Sequence, residues 1–155
     1  MKIELTLNGR PVSAEIAPDT WLIDFLRSRG LFSVKRGCET ANCGLCTVLV
    51  DDRPTLSCAM LAARVTGRRV TTLEGLQKEA EEFAGFMADQ GADQCGFCNP
   101  GFVMNVLAMA RELTEPTESE IRAYLAGNLC RCGGFASQHR AIAAYLAYKK
   151  GGRDA

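Results

Sequence analysis

Apolar and polar positions alternate in short runs along the first half of the chain. Ile3, Leu5 and Leu7 share one side of a first strand, Asn8-Gly9 supplies a two-residue hairpin turn, and Val12, Ala14 and Ile16 continue the alternation. The period then lengthens. Trp21, Leu22, Phe25 and Leu26 form the apolar stripe of a helix, with Asp19 or Thr20 as its cap and Gly30 as its stop. Trp21 and Phe25 read as core side chains of that stripe. Residues 37–46 form a loop rich in glycine and cysteine. Thr47–Val50 reads as a strand, Asp51-Asp52-Arg53-Pro54 as a turn, and a further strand leads to Cys58. A last strand near Arg69–Thr72 would close a small mixed sheet crossed by one helix.

After Gly75 the spacing becomes helical throughout. Ala80, Phe83, Ala84, Phe86 and Met87 predict a helix ending near Gly91. Asn99-Pro100, a cap before a proline, opens a second that runs to about Leu113. Thr117 to Glu120 is a capping-box pattern ahead of Ile121, Tyr124 and Leu125. Ser137 begins a last helix with Ile142, Tyr145 and Leu146, and the chain frays from Gly151. The pattern divides the chain into a sheet-rich module, residues 1–76, and an all-helical module, residues 77–155.

Charge excludes some roles. The 155 residues carry 18 basic and 18 acidic side chains, which gives no electrostatic case for nucleic acid or an anionic membrane. Ten basic and eight acidic residues fall in the first module, eight and ten in the second, too mild a difference to assign a partner. No apolar run reaches the roughly 18 residues of a membrane span, and the N-terminus reads as a strand rather than a secretion signal. A reducing, cytoplasmic setting is therefore expected, in which cysteine clusters point to metal or redox chemistry before disulfides.

The eight cysteines divide four and four. Cys38, Cys43, Cys46 and Cys58 have the spacing C-x4-C-x2-C-x11-C, the plant-type ferredoxin pattern for a [2Fe–2S] cluster. Three thiolates converge from one short loop and the fourth arrives from a separate strand, while Gly37 and Gly44 let the backbone turn its N–H groups toward sulfur. Structural zinc and disulfides are the weaker readings of this quartet. Cys95, Cys98, Cys130 and Cys132 are spaced C-x2-C-x31-C-x-C, each pair at a turn that opens a helix. Two such turns meeting in a bundle supply four sulfurs, and spacing alone leaves zinc open here. A disulfide within C-x-C would be strained.

The two quartets in this order, in SVKRGCETANCGLCTVLVDD, QCGFCNPGFVMN and GNLCRCGG, resemble the small iron–sulfur subunit or domain of the molybdenum hydroxylases, the xanthine dehydrogenase, aldehyde oxidoreductase and carbon monoxide dehydrogenase family. The resemblance runs from residue 2 to about residue 148. It implies an α+β chain: an N-terminal ferredoxin-like β-grasp domain holding one [2Fe–2S] cluster through the first quartet, then an all-α four-helix domain holding a second through Cys95, Cys98, Cys130 and Cys132. It further implies a large partner subunit carrying molybdopterin, with Gln94 and Cys132 near the pterin, and a third, FAD-binding subunit beyond the ferredoxin-like cluster. This chain departs from the family pattern at Ala41, where glycine is common, at Asn99 in place of threonine, at Gly133-Gly134-Phe135 in place of Thr-Gly-Tyr, and in the following SQHR.

Other chemistry is sparse. The single histidine, His139, excludes a Rieske site and a HExxH metalloprotease, and reads as a surface or cap residue. No glycine-rich nucleotide motif occurs. Arg131, between two cysteines, is open between tuning a cluster or meeting a partner and simple solvation. Lys35-Arg36 reads as solvated charge. The function expected is an electron-transfer subunit of a heteromeric oxidoreductase, with no substrate chemistry and no catalytic residue on this chain. A free-standing two-cluster carrier and a zinc-stabilised interaction module are the competing readings.

Overall fold

A computed structural model describes residues 1–151. Five strands, β1 (Lys2–Leu7), β2 (Arg10–Glu15), β3 (Thr47–Val50), β4 (Arg53–Leu56) and β5 (Arg69–Thr71), form one mixed sheet in the order β2-β1-β5-β3-β4. β1 pairs antiparallel with β2 and parallel with β5, and β3 pairs antiparallel with β4 and β5. The helix α1 (Leu22–Ser28) crosses one face. The alternation of β1 places Ile3, Leu5 and Leu7 beneath Leu22, Ile23, Phe25 and Leu26 in one core.

β3 is buried along its whole length, because both faces of the sheet are covered there. Val48 and Val50 face the α1 core, while Leu49 packs with Met104 and Ala108 of a helix from the second half. That half consists of α2 (Gln77–Asp89), α3 (Asn99–Glu112), α4 (Glu118–Tyr124) and α5 (Phe135–Gly151). Its own core gathers Phe83, Phe102, Leu107, Ile142 and Tyr145. The α+β architecture is the expected one, a ferredoxin-like sheet domain joined to a helical domain.

Several local expectations are corrected. Trp21 is 44 % exposed, not core. It precedes α1 in extended backbone and its main chain bridges Leu61, so its side chain lies off the helical stripe that Phe25 does join. Neither Asp19 nor Thr20 caps α1, whose cap position is Trp21 with no side-chain bond. The β3–β4 turn is only Asp51-Asp52, both at positive φ (49° and 66°), so Arg53 and Pro54 belong to β4. Asn99 is inside α3 rather than its cap, and its amide donates to Asp93 at 2.9 Å. α5 starts at Phe135, two residues before Ser137, because Gly133 (φ 78°) turns the chain and the Gln138 amide already donates to the Gly134 carbonyl. Gly151 ends α5 as helix, and the remainder of the expected frayed tail lies outside the described residues.

Candidate iron–sulfur centres

The loop before β3 carries Cys38, Cys43 and Cys46, and a short 3-10 turn after β4 (Ser57–Ala59) carries Cys58. The loop is drawn tight by hydrogen bonds: the Ser57 hydroxyl and amide donate to the Cys46 carbonyl at 2.7 and 3.3 Å, and the Thr47 hydroxyl donates to Gly44 at 2.7 Å. A Cβ on Gly37 would lie 2.6 Å from Leu45 Cδ2 and 3.3 Å from Cys43 Sγ, so a side chain there would have to displace the end of Leu45. Cys43 and Cys46 are buried, while Cys38 and Cys58 are half-buried.

The sulfurs meet in twos. Cys38 lies beside Cys43 and Cys46 beside Cys58, and Cys58 is close enough to feel Cys38 and Cys43 as well. Backbone N–H groups of Asn42 and Thr40 aim at Cys38 and lower its pKa to about 6. Burial raises Cys43 against the amides of Leu45 and Gly37. Burial, then the Cys46 thiol, pushes Cys58 up to about 12. The amides thus point at sulfur as the glycines of this loop allow, and they favour added negative charge there.

The second group is built at the openings of α3 and α5. Cys95 pairs with Cys132 and Cys98 with Cys130. The Phe97 amide lowers the pKa of Cys95, and burial raises that of Cys98 to about 11. Cys130 is lowered because the amides of Gly134, Cys132 and Gly133 and the Cys98 thiol outweigh its burial. One small cavity is lined by all four of these cysteines together with Gln94, Asn99, Gly134 and Gln138. Cys95 and Cys132 are exposed, as is Gln94.

Pairs of thiols suit a two-iron core, in which four cysteines serve two irons. The donors are all sulfur, and the amide dipoles face them.

The two centres are stitched to each other by contacts the sequence did not advertise. The Leu129 amide, one residue before Cys130, donates to the Cys43 carbonyl at 2.9 Å. The Asn105 amide donates to Asn128 Oδ1 at 2.8 Å, to Thr47 Oγ1 at 3.3 Å and to the Gly101 carbonyl at 3.4 Å. A Cβ on Gly101 would strike the Gly44 carbonyl and sit 2.9 Å from Leu45 Cα, so α3 touches the first loop backbone to backbone. Lys35, expected to be solvated, donates to the Phe97 carbonyl at 3.3 Å and lies 4.8 Å from that ring's centroid. Arg36 pairs with Asp24 at 3.0 Å. Arg131 is exposed. His139 is half-buried in a groove of about 1060 Å³ between the α3–α4 turn and α5, which contains no cysteine.

A β-grasp sheet with a cysteine loop, joined to a helical unit with a second cysteine group, defines a two-centre iron–sulfur protein. Residues 5–81 match the family described as "2Fe-2S iron-sulfur cluster binding domain" and residues 72–143 the "[2Fe-2S] binding domain". The chain is 47% identical over 137 residues to the xanthine dehydrogenase iron-sulfur-binding subunit of Escherichia coli O157:H7, covering 86% of each. It is 38% identical to the nicotinate dehydrogenase small FeS subunit of Eubacterium barkeri, covering 90% of this chain and 91% of that one. In the crystal structure of quinoline 2-oxidoreductase from Pseudomonas putida 86, a chain 37% identical superposes with a TM-score of 0.84, over 92% of this chain and 90% of that one. The aldehyde oxidoreductase of Desulfovibrio desulfuricans gives 0.88 at 34% identity, where 97% of this chain corresponds to 17% of the longer protein. The chain belongs to the small iron–sulfur subunits of the molybdenum hydroxylases. It carries two [2Fe–2S] clusters and serves as the electron-transfer component of an oxidoreductase.

Proposed function

We propose that Cys38, Cys43, Cys46 and Cys58 hold one [2Fe–2S] cluster and Cys95, Cys98, Cys130 and Cys132 the other, and that the chain relays electrons from a molybdopterin centre on a large subunit toward FAD on a medium one. When bound, each cluster passes one electron at a time. The residues of the chain do the rest. The pairing of thiols supports Cys38 with Cys43 on one iron and Cys46 with Cys58 on its neighbour, and likewise Cys95 with Cys132 and Cys98 with Cys130. Amides fixed by the loops stabilise the added charge, and burial of Cys43 and Cys46 keeps water from the first centre.

The order of the relay rests on one observation: Cys95, Cys132 and Gln94 are exposed, and the turns that carry these cysteines and the start of α5 expose a rim of apolar side chains at Phe97, Leu129 and Phe135. Such a rim suits burial against a partner, and we assign Gln94 and Cys132 to its pterin side. The domain division is proposed at residue 76, supported by the start of α2 at Gln77, with units 1–76 and 77–155. Among the described residues no helix is long and apolar enough to cross a membrane. A cytoplasmic setting is proposed because all eight cysteines are assigned to clusters and none to a disulfide.

Isolation under anaerobic conditions tests the assignment. Co-elution with larger chains containing molybdenum and flavin is expected, with two paramagnetic signals on reduction. Cys43→Ser should erase the first-loop signal alone, and survival of both signals would defeat the ligand assignment. Cys132→Ala should leave substrate able to reduce the molybdenum centre while turnover with the natural acceptor falls; unchanged turnover would refute its place in the relay.

A further inference from the structure

α5 presents its core face at residues 138, 141, 142 and 145, the i, i+3, i+4, i+7 stripe of a buried helix. Ala141, Ile142 and Tyr145 fill three of these positions, but the fourth is Gln138, only 4 % exposed. A buried primary amide is costly without a partner. The side-chain bond that Gln138 makes runs from Nε2 to Cys98 Sγ, at 4.0 Å. Gln138 also lines the small cavity bounded by Cys95, Cys98, Cys130 and Cys132. A polar group has therefore been placed in an apolar stripe at a point where that stripe meets a cysteine.

We propose that Gln138 is a positioning residue that sets the potential of the second cluster by donating an N–H to the Cys98 sulfur. This rests on Cys98 being a cluster ligand. Reduction adds negative charge to the cluster and its thiolates, so a fixed donor stabilises the reduced form more than the oxidised one. Burial strengthens the effect, because little water reaches the amide to screen it. Removing the donor should make the second cluster harder to reduce and leave the first unchanged.

The test is an anaerobic redox titration of the full, cluster-loaded chain, following the two paramagnetic signals separately. In Gln138→Leu, which restores the apolar stripe at similar volume, the second signal should need a potential about 59 mV lower, a tenfold change for one electron. Gln138→Met provides a second apolar variant of similar length should leucine fail to pack. The midpoint of the first signal is the internal control, and thermal stability should hold or rise in the variants. A second midpoint that stays put in a folded, fully loaded variant overturns the proposal. If the unmodified chain shows no second signal and binds only half the iron, the assignment of Cys98 as a ligand fails instead.

Discussion

Gly44 carries two separate demands, and replacing it by alanine measures both. Its φ of 76° lies in the left-handed region, and a Cβ would collide with the Gly127 carbonyl and come within 2.7 Å of Asn128 Nδ2 and 3.1 Å of Asn128 Cα. The backbone demand alone costs an alanine about 1–2 kcal/mol. Forcing a methyl into packed backbone adds about 1–3 kcal/mol. Lower entropy of the unfolded chain returns about 0.4–1 kcal/mol. Gly9 provides the matched control, with φ of 79° and nothing within 4 Å of a Cβ. Gly9→Ala therefore bears the backbone cost without the collision. The difference between the two variants should be about 1–3 kcal/mol, or about 4 to 8 °C in melting temperature at the middle of that range for a chain of this size. The assay is thermal unfolding of the iron-loaded chain, with iron content matched between variants. Magnetic coupling between the reduced centres should also weaken in Gly44→Ala alone, because the Cys43 and Leu129 segments are pushed apart. Equal melting of the two variants would refute the close approach between the modules.

Asn105→Ala should cost about 1–3 kcal/mol, because Asn128 Oδ1 loses its donor where the side chain is buried; urea unfolding checks this, and a midpoint unchanged from the parent would show that the amide bridge is dispensable. Ala41 sits at φ 54°, so Ala41→Gly should relieve about 1–2 kcal/mol of backbone strain, less the added freedom of the unfolded chain, for a net gain of up to about 1 kcal/mol. Slower loss of the first-loop absorbance under chelator is the expected sign, and faster loss would show that the loop tolerates alanine there without strain.

Much of the architecture was legible in the chain. The hairpin at Asn8-Gly9 and the capping box at Thr117 and Glu120 form where local pattern places them, since both depend on residues within a few positions of one another. The misplaced details also have local causes. Trp21 belongs by spacing to the α1 stripe, yet the chain is still extended there, and Ser137 is displaced as a helix start by the turn at Gly133.

The cysteine spacing by itself determined that two four-sulfur sites can form, because three of the first four sulfurs and both pairs of the second four lie within short loops whose closure costs little chain entropy. Tertiary structure alone decided how the two groups meet. Gly101 looks like a weak helix residue until α3 is laid against Gly44, Asn105 and Asn128 are 23 positions apart, and Gln138 lies 40 positions from Cys98. No periodicity encodes such contacts. They arise when two separately patterned modules bury β3 between α1 and α3, and that packing brings Leu129 to Cys43 and makes one short path of two centres.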